Sequence, residues 1–211
     1  MSLYIGITGL PASGKELVKD GLLQALAVHN ISTYHWSMSD DVRYEARQTV
    51  GVYTRETLTA TSRRLKDQFG PAVMAIRALS HLENHFKNEE LPDIVVMEAV
   101  KNSHEVEFFR EQLGGSFLLL AVEAPIETLI DRIIARRRYD EDWSVLSSRG
   151  SARRVIEREM GARRSCYGFD IGYCLSLADY AIDNSGDLAA LQQQIEQFVT
   201  SYLIPRLARQ E

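Results

Sequence analysis

Two cysteines in 211 residues, Cys166 and Cys174, are too few for a disulfide framework. Their spacing matches neither a C-x-x-C redox pair nor a zinc-ligand pattern, so reduced thiols and a cytoplasmic location are expected. Nowhere do 18 apolar residues run together, which excludes a membrane-spanning helix. The opening MSLYIGITG lacks the basic n-region and long apolar h-region of a secretory leader. Basic residues are in deficit: 24 Lys and Arg stand against 29 Asp and Glu, a net charge of −5. That balance argues against a general nucleic-acid partner. Internal repeats and low-complexity tracts are missing too. Of five histidines only His81 and His85 have ligand spacing, and no third zinc ligand accompanies them.

What is present is a chain 45% apolar, enough for a sizeable core, in which short apolar runs alternate with helical patterns. Strands are expected at 3–8, 32–36, 93–98, 117–122 and 180–183, each short and aliphatic as in strands buried on both faces. Helices are expected after the first strand and at 54–69, 73–86, 125–138 and 188–202. Their apolar residues recur every three or four positions, as core-facing stripes do. Alternation of this kind points to α/β architecture with a parallel sheet.

Between the first strand and its helix stands GLPASGKE, residues 9–16, which contains G-x-x-x-x-G-K in a strand–loop–helix context. Gly9 and Gly14 let the backbone turn inward, so that Leu10, Pro11, Ala12 and Ser13 wrap a phosphate chain at a helix N-terminus. Lys15 adds a point charge for the terminal phosphates. One position departs from the pattern. Where a Ser or Thr hydroxyl normally meets Mg²⁺, this chain has Glu16. At an effective dielectric of 20, a unit charge pair 4 Å apart is worth ~4 kcal/mol. Glu16 therefore opposes nucleotide if it faces the phosphates bare, and supports it if a metal ion bridges. It is neutral in effect if it merely decorates the first helical turn.

Four segments, GLPASGKE (9–16), SMSDDVRYEA (37–46), EVEFFR (105–110) and FDIGYCLSLADYAIDNSG (169–186), carry a family resemblance. In them the chain resembles the nucleoside-monophosphate-kinase branch of P-loop proteins. More narrowly, it is similar to an archaeal-type family described as dephospho-CoA-kinase-like or adenylate-kinase-related. The resemblance implies a P-loop NTPase three-layer α/β/α fold with a five-stranded parallel sheet in the order 2-3-1-4-5. It also implies one kinase-like domain with a core at 1–38, 92–135 and 173–211. The charged helical stretch 39–91 would then be an acceptor-binding insertion, and the arginine-rich stretch 136–172 a lid.

On that basis the expected activity is transfer of the γ-phosphate of ATP, with Mg²⁺, to a small nucleotide-like acceptor such as a nucleoside monophosphate or dephospho-CoA. Lys15, Arg132 and Arg136 would neutralise the transferred phosphoryl group, and Glu98, at the C-terminal end of the third strand, would organise the metal with Glu16. The resemblance leads to an aspartate at 98 and an arginine soon after. Glu98 and Lys101 stand instead, and lysine lacks the forked geometry of arginine. Asn184 and Gly186 would border the adenine, although the same turn serves as a helix cap. Asp41, Arg43, Arg55 and Arg64 are candidate acceptor contacts, each equally readable as a solvated helix residue. The alternative activity is a nucleotide-binding regulatory protein that hydrolyses weakly or not at all.

Overall fold

The computed structural model describes residues 2–51, 54–136, 148–163, 166 and 168–209, with the side chains of Val50 and Arg55 left aside. Five strands, β1 (Leu3–Thr8), β2 (Thr33–Ser37), β3 (Ile94–Val100), β4 (Phe117–Glu123) and β5 (Tyr180–Asp183), form one sheet in the order β2-β3-β1-β4-β5. Every pairing is parallel. The expected 2-3-1-4-5 sheet is the one observed.

The helices are α1 (Lys15–Val28), α2 (Met38–Val50), α3 (Arg55–Phe69), α4 (Val73–His85) and α5 (Ser103–Leu113). Then follow α6 (Ile126–Ala135), α7 (Arg149–Met160), α8 (Ile171–Ser176) and α9 (Leu188–Phe198). Alternation along the buried strands sorts their side chains to two faces. Leu3, Ile5, Ile7, Ile94 and Val96 meet α1 and α9 through Val18, Leu22, Leu26, Leu191 and Ile195. On the other face Val95, Met97 and Leu119 meet Met38, Leu65, Met74, Val106 and Phe109. Three layers result because crossover helices cover both faces of a parallel sheet.

Local chemistry sets the helix bounds. Thr54 accepts from Thr57 N and closes a capping box on α3, and Gly70 ends that helix at φ +93°. The expected helix 125–138 stops at Ala135 with Arg136 extended, and 137–147 of the expected lid lie outside the described residues. Past Phe198 the last helix widens into a π turn, Val199–Leu203, before resuming at Ile204–Leu207.

Strand β3 runs two residues beyond its expected end at Glu98. Ile7 pairs with Glu98 and Thr8 with Val100, so Ala99 is an extra, bulged residue. Its φ is +72°, a left-handed conformation that a residue with a Cβ adopts under strain.

Candidate active site

The C-terminal ends of β1, β3 and β4 surround the loop Gly9–Gly14, as expected for ligand sites of open α/β sheets. Both glycines are required by close approach. A Cβ on Gly9 would sit 2.5 Å from Val122 O, and one on Gly14 would sit 2.1 Å from Asn184 Nδ2. Gly14 is the left-handed N-cap of α1 (φ +93°), with no side chain capping the helix. The first N–H groups of α1 are thereby left to face the cleft, where the helix dipole favours an anion.

Lys15 Nζ lies 2.7 Å from Gly9 O and 3.0 Å from Leu10 O, folded over the mouth of the loop. Burial, reinforced by the nearby Lys101 and Arg136 charges, lowers its pKa to about 8; Glu159 and Glu98 act in the opposite sense. A polyphosphate beside this buried amine would favour its charged form.

Beyond the loop opens a cleft of about 700 Å³ whose polar lining includes Lys15, Glu16, Glu98, Lys101, Arg132 and Arg136. Glu16 is exposed on the first turn of α1, at the rim of this cleft. Glu98 is half-buried with Oε2 3.3 Å from His35 Nε2, a separation without hydrogen-bond alignment. The neighbouring His35 ring is the main reason its carboxyl titrates below the usual range, with Lys19 and Lys15 adding to the effect against desolvation. Arg132 donates through Nη2 to Asn184 O at 2.8 Å. Its Nη1 is buried and has no hydrogen-bond partner among the described residues. The Gly14 cradle and this orphaned guanidinium nitrogen fit a phosphate-bearing ligand.

No group of three or more His, Cys, Asp or Glu suited to a metal occurs among the described residues. Mg²⁺ bound beside phosphates takes only one or two carboxylates, so Glu98 and Glu16 are compatible with that ion.

Apolar residues also line this cleft, among them Met38, Val42, Leu58 and Met74, together with Thr59 and Ser62. Arg43 lines it while pairing with Asp40 at 2.7 Å. Two acceptor candidates are not among the cleft-lining residues. Asp41 is partly buried, which raises its pKa against the nearby Arg77 and His81, and its Oδ2 has no hydrogen-bond partner among the described residues. Arg64 is exposed and paired with Glu45 at 3.1 Å. Helix α4 packs on α2 and α3, and its Arg77 is also bound to Glu45, at 3.0 Å. The Arg55 side chain lies outside the described residues.

A buried polar network behind Lys101 is the chief feature that sequence reasoning missed. Glu105 Oε2 accepts from Lys101 N (2.9 Å) and Asn102 N (3.2 Å). Asp170, fully buried, accepts from Ser103 N (2.7 Å) and Ser103 Oγ (2.6 Å), and its own N–H donates to Lys101 O. Lys66 is buried as well and donates to Gly168 O at 3.0 Å, while Lys101 lies 4.8 Å from the Phe169 ring centre. Three segments far apart in the chain thus lock the turn that carries Lys101 into the cleft. Glu105 of EVEFFR and Asp170 of FDIG were its only signal in the sequence.

A strand–glycine loop–helix at the centre of a 2-3-1-4-5 parallel sheet, opening on a single large cleft, defines a P-loop kinase-like fold. The chain is similar in sequence to the UPF0200 protein MJ1399 of Methanocaldococcus jannaschii, 28% identical over 203 residues, covering 95% of this chain and 91% of that one. It is also 29% identical over 205 residues to the UPF0200 protein PH1008 of Pyrococcus horikoshii, covering 95% and 98%. Among solved structures it matches TT1252 from Thermus thermophilus with TM-score 0.57 and 20% identity over 95% of this chain and 98% of that one. A shikimate kinase from Bacteroides thetaiotaomicron matches with TM-score 0.57 and 12% identity, over 96% and 98%. No family model matches the chain. No described helix is long and apolar enough to cross a membrane.

Proposed function

We propose that this protein is an ATP- and Mg²⁺-dependent phosphotransferase acting on a small nucleotide-like acceptor, such as a nucleoside monophosphate or dephospho-CoA. The observation that carries the reading is one cleft lined both by the phosphate loop with Lys15, Lys101, Arg132 and Arg136 and by Met38 with residues of the 39–91 stretch, among them Val42, Arg43, Leu58 and Met74. A cleft that reaches from the phosphate loop to that stretch has room for an acceptor next to the nucleotide.

In this reading the backbone N–H groups of Ala12 to Lys15 hold the phosphates, and Lys15 moves from the Gly9 and Leu10 carbonyls onto the transferred group. Arg132 and Arg136 neutralise charge as the bond from the γ-phosphorus to the ADP oxygen breaks and the bond to the acceptor oxygen forms. The acceptor proton leaves to solvent or to a cleft carboxylate. Glu98 and Glu16 are the side chains that would hold Mg²⁺, whose charge would offset that of the phosphates. Asn184 and Gly186 border the base.

On the acceptor side, Met38, Val42, Leu58 and Met74 suit a flat apolar body such as a nucleobase. In this reading 39–91 is the acceptor-binding insertion and 136–172 the lid.

Glu16 favours a second reading, in which the frame binds nucleotide without efficient turnover. A single assay separates the two: ADP release with ATP and Mg²⁺ across nucleoside monophosphates, dephospho-CoA and shikimate, for the wild type, Glu16→Ser and Lys15→Ala. Stimulation of the wild type by a nucleotide acceptor, lost in Lys15→Ala, is the expected result. Activity confined to Glu16→Ser supports the binding protein, and stimulation by shikimate alone overturns the acceptor class.

A further inference from the structure

Asn184 sits where three parts of the site meet, and almost none of it is exposed to solvent. Its Nδ2 donates to Ser13 O at 2.7 Å, across 171 residues of chain. Its backbone N–H donates to Glu123 O at 2.8 Å, at the end of β4. Its own carbonyl accepts from Arg132 Nη2 at 2.8 Å. The same side chain presses against Gly14 so closely that no Cβ fits between them. One residue thus grips the last carbonyl before the α1 N-terminus and also fixes a guanidinium whose other nitrogen points, without a partner, into a buried space.

We propose that Asn184 is a positioning residue for the phosphates rather than primarily a contact to the base. Its amide sets the Ser13–Gly14 peptide so that the α1 N–H groups converge, and its carbonyl holds Arg132 at the angle from which Nη1 reaches the same phosphate chain. The inference rests on the nucleotide reading above and deepens it. A side chain that only recognised the base would have its amide directed to the open side of the turn. Here it is spent on the loop backbone, where a hydrogen bond is sheltered from water.

The test is calorimetric titration of the intact chain with Mg·ATP and, separately, with inorganic tripolyphosphate, which has no base. Asn184→Ala is expected to weaken both ligands by the same factor, about tenfold, corresponding to one buried hydrogen bond of ~1.4 kcal/mol. Asn184→Asp, which replaces the donor with a carboxylate facing Ser13 O, is expected to weaken both further. Phe198→Leu, a core lesion away from the loop, controls for stability: it lowers the melting temperature and leaves both affinities within about twofold. If Asn184→Ala does not fold, Asn184→Leu, which keeps the bulk of the side chain and lacks the donor, supplies the same ratio.

Loss of ATP affinity with tripolyphosphate unchanged makes Asn184 a base contact and overturns the proposal. Unchanged binding of both ligands does so too. If the wild type itself binds neither ligand, the nucleotide reading falls and the proposal with it. That failure shows in the wild type alone and is distinct from any variant-to-wild-type ratio.

Discussion

Replacing Ala99 by glycine should stabilise this protein, against the usual direction of such a change. Ala99 is the extra residue of the β3 bulge and is held at φ +72°. An L-residue pays ~1–2 kcal/mol for a left-handed conformation, and glycine pays nothing. Against that stands the greater backbone freedom of glycine in the unfolded chain, ~0.4–1 kcal/mol. Ala99 is only half-buried, so little methyl burial is forfeited. The balance is a gain of ~0.5–1 kcal/mol, which for a chain of this size raises the melting temperature by ~1–4 °C. Chemical and thermal denaturation measure it directly. Ala78→Gly is the control: Ala78 is fully buried inside α4, where glycine should cost ~1 kcal/mol or more. If Ala99→Gly also lowers the midpoint, the strain argument is wrong. The point matters for the site because the bulge separates Glu98 from Lys101 so that both line the cleft.

Other perturbations test neighbouring claims. Asp170→Ala strands two buried donors of Ser103 and should lower stability by ~2–4 kcal/mol in urea titration; a loss under ~1 kcal/mol would show the network to be dispensable. Lys15 titrates near 8 in the fold against an ordinary 10.5, so the unfolded chain binds the extra proton between those values. Stability should therefore gain from this residue as pH rises through that window, whereas ATP, which favours the charged amine, should bind less tightly. Calorimetry at pH 8.5 in two buffers of different ionisation enthalpy should register proton uptake on binding, and none would contradict the depressed value. Arg64→Ala breaks surface contacts to Glu45 and Gln68, so unfolding should shift by no more than ~1 kcal/mol and ATP affinity should not change.

Most of the frame was legible before any coordinates. β1, the glycine loop and α1 are contiguous, and their signals, an apolar run and two glycines five residues apart, act through local backbone geometry. The strand runs and their order followed from the same short-range patterns with the family resemblance, and only their ends moved. At β3 the end moved because the bulge adds a residue that no hydropathy pattern marks. Arg132 and Arg136 were readable as a pair because four residues is one helical turn, and both line the cleft.

What tertiary structure decided is whatever depends on partners distant in the chain. Arg64, an acceptor candidate in the sequence, pairs in the fold with Glu45, which Arg77 of α4 also holds, and neither Arg64 nor Asp41 is among the cleft-lining residues. Glu105 and Asp170 had no assigned role in the sequence, yet they meet at Lys101 to Ser103, one of them across 67 residues. Asn184 and Ser13 meet across 171. Propensity and periodicity act within a turn or two of helix or a few residues of strand. A hydrogen bond between distant residues is set by how whole layers pack, and so it is the packing that turned a recognisable loop into a defined site.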